Sequence, residues 1–93
     1  MSNEFSGKTA IISGGAGGIG FALAKEFGQL GMKIVIADID QEVLAEAEQK
    51  LKDANIQVLA CPLDVTDYQQ WEETVAVAEA TFGDIHMLIN NAG

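Results

Sequence analysis

The 93-residue sequence predicts an α/β fold built on a doubly wound parallel sheet of four strands. Four short β-rich runs, over 8–13, 33–38, 57–61 and 85–90, alternate with three segments of helical periodicity. Each run is almost continuously apolar, which is typical of strands covered on both faces of a parallel sheet. Crossovers between parallel strands are right-handed, so we expect the strand order 3-2-1-4 and a crevice above the first strand-to-helix turn.

The three helical segments have recognisable ends and apolar stripes at spacings of three and four residues. Gly31 is expected to end the first helix, Asp40 to cap the start of the second, and Asp67 to cap the third, which ends at Gly83. The predicted stripes are Ile19, Ala22, Leu23, Phe27 and Leu30 in the first helix, Val43, Leu44, Ala47 and Leu51 in the second, and Trp71, Val75, Ala78 and Phe82 in the third.

The charge balance argues against several partners. The chain has 14 acidic against 5 basic residues, a net charge of -9 that repels nucleic acid and anionic lipid. The longest apolar runs are strand-sized and residues 1–6 lack a basic segment followed by an apolar one, so we expect neither secretion nor membrane insertion. Cys61, the only cysteine, is expected to be a small buried side chain. These features predict a cytoplasmic location.

A glycine-rich segment lies where the first strand passes into the first helix. Five of its seven residues are glycine, which lets backbone N–H groups approach a diphosphate unobstructed, aided by the helix dipole. The segment has no lysine, which argues against a P-loop nucleotidase. Two spacings fit the glycines: Gly15-x-Gly17-x-x-Gly20 and Gly14-x-x-x-Gly18-x-Gly20. The residues alone leave both open, as well as a simple tight turn.

Asp38 lies at the end of the second strand, eighteen residues after Gly20. A carboxylate at this point can accept hydrogen bonds from the adenosine ribose hydroxyls and would repel a 2′-phosphate. Neither the glycine segment nor the residues directly after Asp38 include Arg or Lys, so the pattern favours NAD over NADP. The alternative is that Asp38 only ends the strand or caps the next helix, a role that Asp40 can equally fill.

Together these motifs resemble the short-chain dehydrogenase/reductase family, and the resemblance extends from Gly7 to the end of the chain. The family motif Thr-Gly-x-x-x-Gly-Ile-Gly selects the second glycine spacing. It falls on Ser13, Gly14, Gly18, Ile19 and Gly20, with serine in place of threonine. The resemblance implies a Rossmann-type fold truncated after strand four, and a single partial NAD(P)-binding domain over residues 1–93.

The resemblance also implies cofactor contacts further along the chain. Asp64 and Val65 match the family's contact with the adenine ring. Asn90, and after it Asn91, match the turn that packs against the sheet and lines the ribose. Gly17 stands where NADP-using relatives often carry Arg, which again favours NAD. From the residues alone, Asp64 could instead be a turn residue and the asparagines a polar loop.

The family's catalytic serine, tyrosine and lysine follow the asparagine turn, and this sequence has no counterpart of them. Tyr68 is the only tyrosine, and Glu72 stands where the family spacing requires lysine. His86 stands where relatives commonly have Asp, at the entrance of the fourth strand, away from the strand ends where ligands bind. We therefore predict no catalytic residue, no metal site and no activity of the chain alone.

Two functions follow as hypotheses. In the first, the chain is the N-terminal NAD-binding portion of a short-chain dehydrogenase/reductase, whose parent transfers hydride between NAD and a carbonyl or secondary alcohol. In the second, it is an inactive structural or interaction module that forms a homo-oligomer through its exposed sheet edge. The sequence does not indicate the substrate.

Overall fold

The sheet and its helices follow the predicted order in the computed structural model, which describes residues 4–91. The strands are β1 (Thr9–Ser13), β2 (Lys33–Asp38), β3 (Val58–Pro62) and β4 (Met87–Asn90), and the helices are α1 (Gly18–Gln29), α2 (Gln41–Asp53) and α3 (Tyr68–Phe82). All pairings are parallel and the strand order is β3-β2-β1-β4, so the predicted fold class is confirmed.

The two central strands are buried on both faces, which accounts for their continuous apolar sequences. Every residue of β1 is buried, as are the four inner residues of β2. One core lies under α1 and α2 and includes Ile12, Ile36 and Leu51. A second, smaller core lies under α3 and includes Ile11 and Val35. The side chains of Ile11 and Ile12 point to opposite faces of the sheet, so β1 contributes to both cores.

The helix ends are those that the sequence predicts. The Asp40 carboxylate accepts hydrogen bonds from the N–H groups of Glu42 and Val43, so it caps α2. Asp67 caps α3 in the same way. Gly31 follows the end of α1 with φ of 94°, and Gly83 ends α3 with φ of 88°. Both angles lie in the left-handed region that glycine adopts readily.

The predicted buried stripe of α1 is partly wrong. The residues of α1 that are buried are Gly20, Ala24 and Gly28, whereas Ile19 is 72% exposed. The reason is close approach: a Cβ on Gly28 would lie 2.6 Å from Cγ2 of Ile56. The smallest residues therefore lie on the buried face of α1, while Leu23 and Phe27 pack at the margin of this face.

The other two helices follow their predicted stripes more closely. In α2, Leu44, Ala47 and Leu51 are buried as expected, whereas Val43 is 38% exposed. In α3, the buried residues are Thr74 and Ala78, and the remaining stripe residues are half-buried against the second core. Within residues 4–91, none of the helices has the length and apolar character needed to cross a membrane.

Candidate functional site at the carboxyl edge of the sheet

The loop between β1 and α1 is held against the end of β2. The N–H groups of Gly14 and Gly15 both donate to the carbonyl of Ala37, at 2.7 and 3.3 Å. Gly14 has φ of 65° and Gly18 has φ of 56°, angles that strain any residue with a side chain. Glycine is therefore favoured at both ends of the loop, at the exit from β1 and at the first residue of α1.

Close packing inside the loop explains the glycine at the start of α1. A Cβ on Gly20 would collide with the carbonyl of Gly14 and lie 2.9 Å from Nδ2 of Asn91. By contrast, a Cβ on Gly17 would meet no atom within 4 Å. Gly15, like Gly20, has no room for a side chain, since a Cβ there would lie 2.8 Å from the carbonyl oxygen of Ile12. The fold therefore requires glycine at positions 14, 15, 18 and 20, which include the three glycines of the family motif.

The start of α1 has the properties of an anion-binding helix terminus. Its N-cap is Gly17, which has no side chain to accept from the first N–H groups, and the first turn carries no acidic residue. These N–H groups and the positive end of the helix dipole therefore favour an external anion. The exposed positions Gly17, Gly18 and Ile19 form the open side of this turn.

Asp38 connects the glycine loop to the start of α2. Its Oδ2 accepts from the N–H of Ala16 at 3.4 Å, and its Oδ1 accepts from the N–H of Asp40 at 3.2 Å. The N-cap of α2 is Asp40, so the alternative in which Asp38 serves as that cap is wrong. Asp38 is half-buried and lines a cleft whose other walls come from Gly14, Ile39, Leu63, Asp64 and Val65.

Asp64 has a clear role in the turn after β3. Its Oδ1 accepts from both the N–H and the hydroxyl of Thr66, at 3.0 and 2.6 Å. These hydrogen bonds stabilise the carboxylate and lower its pKa from the ordinary value. Asp64 is thus a turn residue, and it also lines the same cleft as Asp38.

Both asparagines support the glycine loop from the end of β4. Asn90 accepts the Ser13 hydroxyl on its Oδ1 at 2.8 Å, and Asn91 donates from Nδ2 to the carbonyl of Gly14 at 3.3 Å. The two side chains thus join β4 to the end of β1 and to the loop. Ala92 and Gly93, which complete the family's asparagine turn, lie outside the described residues.

Three further residues with polar or reactive side chains lie in different parts of the fold. His86 accepts from the N–H of Thr9 at 3.1 Å through Nδ1, at the amino end of the sheet. Cys61 is buried, and burial together with the charge of Glu48 raises the pKa of its thiol. Tyr68 is exposed at the start of α3. Residues 4–91 contain no cluster of three or more metal-binding side chains.

Sequence comparison identifies the family to which these motifs belong. The sequence model described as short chain dehydrogenase matches residues 8–93. The chain belongs to the short-chain dehydrogenase/reductase family. It is 40% identical over 93 residues to a 2,5-dichloro-2,5-cyclohexadiene-1,4-diol dehydrogenase of Sphingobium indicum, covering all of this chain and 37% of that protein. It is 41% identical over 95 residues to the 5-keto-D-gluconate 5-reductase of Escherichia coli, with the same coverage.

Solved structures of this family share the fold closely. A hydroxysteroid dehydrogenase from Escherichia coli superposes with a TM-score of 0.91 at 31% identity, covering 96% of this chain and 38% of that one. A short-chain dehydrogenase/reductase from Burkholderia phymatum in complex with NAD gives 0.90 at 37% identity, covering 92% and 31%. The L-sorbose reductase of Gluconobacter frateurii, complexed with NADPH and L-sorbose, gives 0.89 at 36%, covering 95% and 34%. The chain thus spans between 31% and 38% of the length of these proteins.

The short-chain dehydrogenase/reductase motifs identified the residues at the edge of the site, but not all of the residues that hold them in place. The structure brings Ser13, Gly14, Asp38, Asp64 and Asn90 to one edge of the sheet, as expected. Sequence reasoning missed two features next to these residues. One is the first turn of α3, whose side chains bond the Asp64 loop, and the other is a depression beside Gly17 lined by Glu46 and Lys50 of α2. The capping pattern Asp67-x-x-Gln70 was the available signal for the first of them.

Proposed function

We propose that this chain binds the adenosine diphosphate part of NAD and is the cofactor-binding portion of an NAD-dependent oxidoreductase. The observation that carries the proposal is the anchored loop in front of an uncapped helix. The loop is held on three sides, by Ala37, by Asp38 and by Asn91. It therefore presents backbone N–H groups to a diphosphate without having to be ordered by it.

Each part of a dinucleotide has matching residues along this edge of the sheet. Gly14, Gly18 and the start of α1 would take the diphosphate, and Asp38 the adenosine ribose. Asp64 and Val65 would take the adenine. Asn90, buttressed by Ser13, would contact the second ribose. When bound, the nicotinamide ring supplies the hydride acceptor or donor.

The preference for NAD rests on charge. A 2′-phosphate would stand next to the Asp38 carboxylate, and Gly17 and Ile39 provide no cation to compensate. Lys50 lines the depression beside Gly17, but Glu46 lines it as well and offsets its charge. Relatives of this fold include one complexed with NAD and one with NADPH, so the family fold permits both.

The parent reaction is hydride transfer between NAD and a carbonyl or secondary alcohol carbon. Support comes from the names of the relatives, which include both dehydrogenases and reductases. In the family the proton is moved by a serine, a tyrosine and a lysine that have no counterpart in this sequence. We therefore propose that the 93-residue chain binds the cofactor and does not turn over substrate alone. The cytoplasmic location remains a prediction.

A titration calorimetry experiment tests the proposal. NAD and NADP are titrated into the wild-type chain, Asp38→Ala and Asp84→Ala. The last variant removes the same charge from an exposed position before β4, at the opposite edge of the sheet. We expect the wild type to bind NAD more tightly than NADP. In Asp38→Ala, the ratio of the affinity for NAD to that for NADP should fall by about tenfold, equivalent to about 1.4 kcal/mol. Absence of NAD binding, or an equal change in Asp84→Ala, would contradict it.

Self-association is the second candidate role, and one feature favours it. Within residues 4–91, β4 pairs with β1 alone, and its Leu88 is 58% exposed. A free strand edge with an exposed apolar side chain is a template for pairing with another chain. A second copy of this chain could supply that strand.

A further inference from the structure

The loop that follows β3 is bonded to the first turn of α3 by two adjacent side chains. The indole N–H of Trp71 donates to the carbonyl of Val65 at 3.0 Å. The side-chain oxygen of Gln70 accepts from the N–H of Asp64 at 2.8 Å, and its amide group donates to Oδ2 of Asp67 at 3.2 Å. We call this pair, Gln70 and Trp71, the α3 clasp.

The α3 clasp fixes the orientation of consecutive peptide groups. The peptide that carries the Asp64 N–H is held by Gln70, and the one that carries the Val65 carbonyl is held by Trp71. Between them, the carbonyl of Asp64 accepts from the N–H of Asp67 at 3.0 Å. Three peptide planes in a row are therefore held by hydrogen bonds to α3 or its cap, two of them through the side chains of Gln70 and Trp71.

On Asp64 and Val65, one donor and one side-chain acceptor have no hydrogen-bond partner within residues 4–91. They are the N–H of Val65 and Oδ2 of Asp64, whose Oδ1 is used by Thr66. Both residues line the cleft that also contains Asp38. An adjacent donor and acceptor match the edge of adenine, where a ring nitrogen accepts and the amino group donates.

We propose that Gln70 and Trp71 are positioning residues that hold Asp64 and Val65 in register with the adenine edge and so set the preference of the site for adenine. This inference rests on the proposed dinucleotide function. The ring of Trp71 packs against the second core together with Val75, and a large flat side chain with few rotatable bonds is a rigid support. Trp71 thereby connects the core of the sheet to the loop.

If Trp71 had a purely structural role, its substitution would have a different effect on ligand binding. If the indole only fills space, its loss weakens every ligand of the site equally, through a less stable fold. If it orients the loop, its loss acts on the adenine edge and leaves the diphosphate and ribose contacts in place. The ratio of affinities for two dinucleotides that differ only in the base separates these cases.

The experiment compares NAD with nicotinamide hypoxanthine dinucleotide, in which the adenine amino group is replaced by oxygen. Both are titrated by calorimetry into the wild-type chain, Trp71→Phe, Gln70→Met and Gln69→Met. Trp71→Phe keeps an aromatic ring and removes the N–H. Gln69→Met is the matched control, because Gln69 is exposed and, among residues 4–91, its side chain bonds only Glu73 on α3.

We expect the wild type to prefer NAD, and Trp71→Phe and Gln70→Met each to reduce that preference by about threefold to tenfold, as expected for one hydrogen bond. Gln69→Met should keep the wild-type ratio. An unchanged ratio in both clasp variants, or an equal loss for both dinucleotides, would overturn the inference while the proposed function stands. A wild type that binds neither dinucleotide would instead overturn the proposed function. Because Gln70→Met leaves the indole in place, it tests the inference independently of how well Trp71→Phe folds.

Discussion

Asp38 combines a structural role with the chemical role that we propose for it. Its two carboxylate oxygens accept from Ala16 in the glycine loop and from Asp40 at the start of α2. The carboxylate is therefore fixed by the backbone on both sides, and its charge stands at the edge of the cleft. A fixed negative charge discriminates against a phosphate more strongly than a mobile one, because it cannot move away.

A substitution at Gly17 tests the same discrimination between NAD and NADP by charge. Its φ of -154° suits any residue and a Cβ there would meet no atom within 4 Å, so a side chain fits without strain. We expect Gly17→Arg to raise the affinity for NADP relative to NAD by about tenfold, since the guanidinium can pair with the 2′-phosphate. Titration calorimetry measures the ratio. Gly17→Gln, similar in length but neutral, is the control, and an equal rise in that variant would refute the charge argument.

At the scale of elements, α1 and its preceding loop form a unit whose geometry depends on small residues. Gly20, Ala24 and Gly28 face the sheet, and Gly20 also lies against the carbonyl of Gly14. The helix can therefore approach β1 and β2 closely, and its first turn lies directly over the loop. The proposed diphosphate site and the helix packing share Gly20, so a change there is expected to affect both.

We expect Gly20→Ala to lower the free energy of unfolding by about 1–3 kcal/mol, because the added methyl group has no space between the loop carbonyl and Asn91. Urea denaturation followed by circular dichroism measures this change. Gly17→Ala is the matched control at an open position of the same loop, and we expect it to stay within about 0.5 kcal/mol of the wild type. Equal effects of the two substitutions would show that the close contact is unimportant.

The sequence predicted the type and order of every element because apolar runs, caps and glycines agree with each other. It failed on the face of α1, because hydrophobicity places Ile19 inside whereas close packing selects glycine and alanine. The glycine loop, Asp38 and the asparagines were found from local motifs. The hydrogen bonds of Gln70 and Trp71 to the Asp64 loop were not, since apolar spacing made Trp71 a packing residue and no motif predicts its N–H bond to Val65.

On the scale of the whole molecule, the polar residues of the candidate site gather at one edge of the sheet, together with the exposed side chains of Ile19 and Ile39. The carboxyl ends of all four parallel strands meet at the edge that carries Asp38, Asp64 and Asn90. The free edge of β4 exposes Leu88, and α3 exposes Val77. Binding of a dinucleotide and association of two copies would therefore use different surfaces, and the two roles are compatible.

Light scattering across a concentration series tests association through β4. We expect the average mass to rise with concentration in the wild type and to rise less in Leu88→Lys, because a charge on an edge strand opposes pairing. Val43→Lys adds the same charge at an exposed apolar position of α2 and serves as the control. A wild type that stays monomeric at the highest concentration would exclude self-association.

The most direct test of the central claim is an amide NMR titration of the chain with adenosine diphosphate ribose. The account predicts chemical-shift changes in the loop and first turn over 14–20, at Asp38 and Ile39, and at Asp64 and Val65, all at the carboxyl edge of the sheet. Lys8 and His86, at the opposite edge, should remain unchanged. Shifts centred on the amino edge, or no shifts at a saturating concentration, would contradict the assignment of this edge as the dinucleotide site.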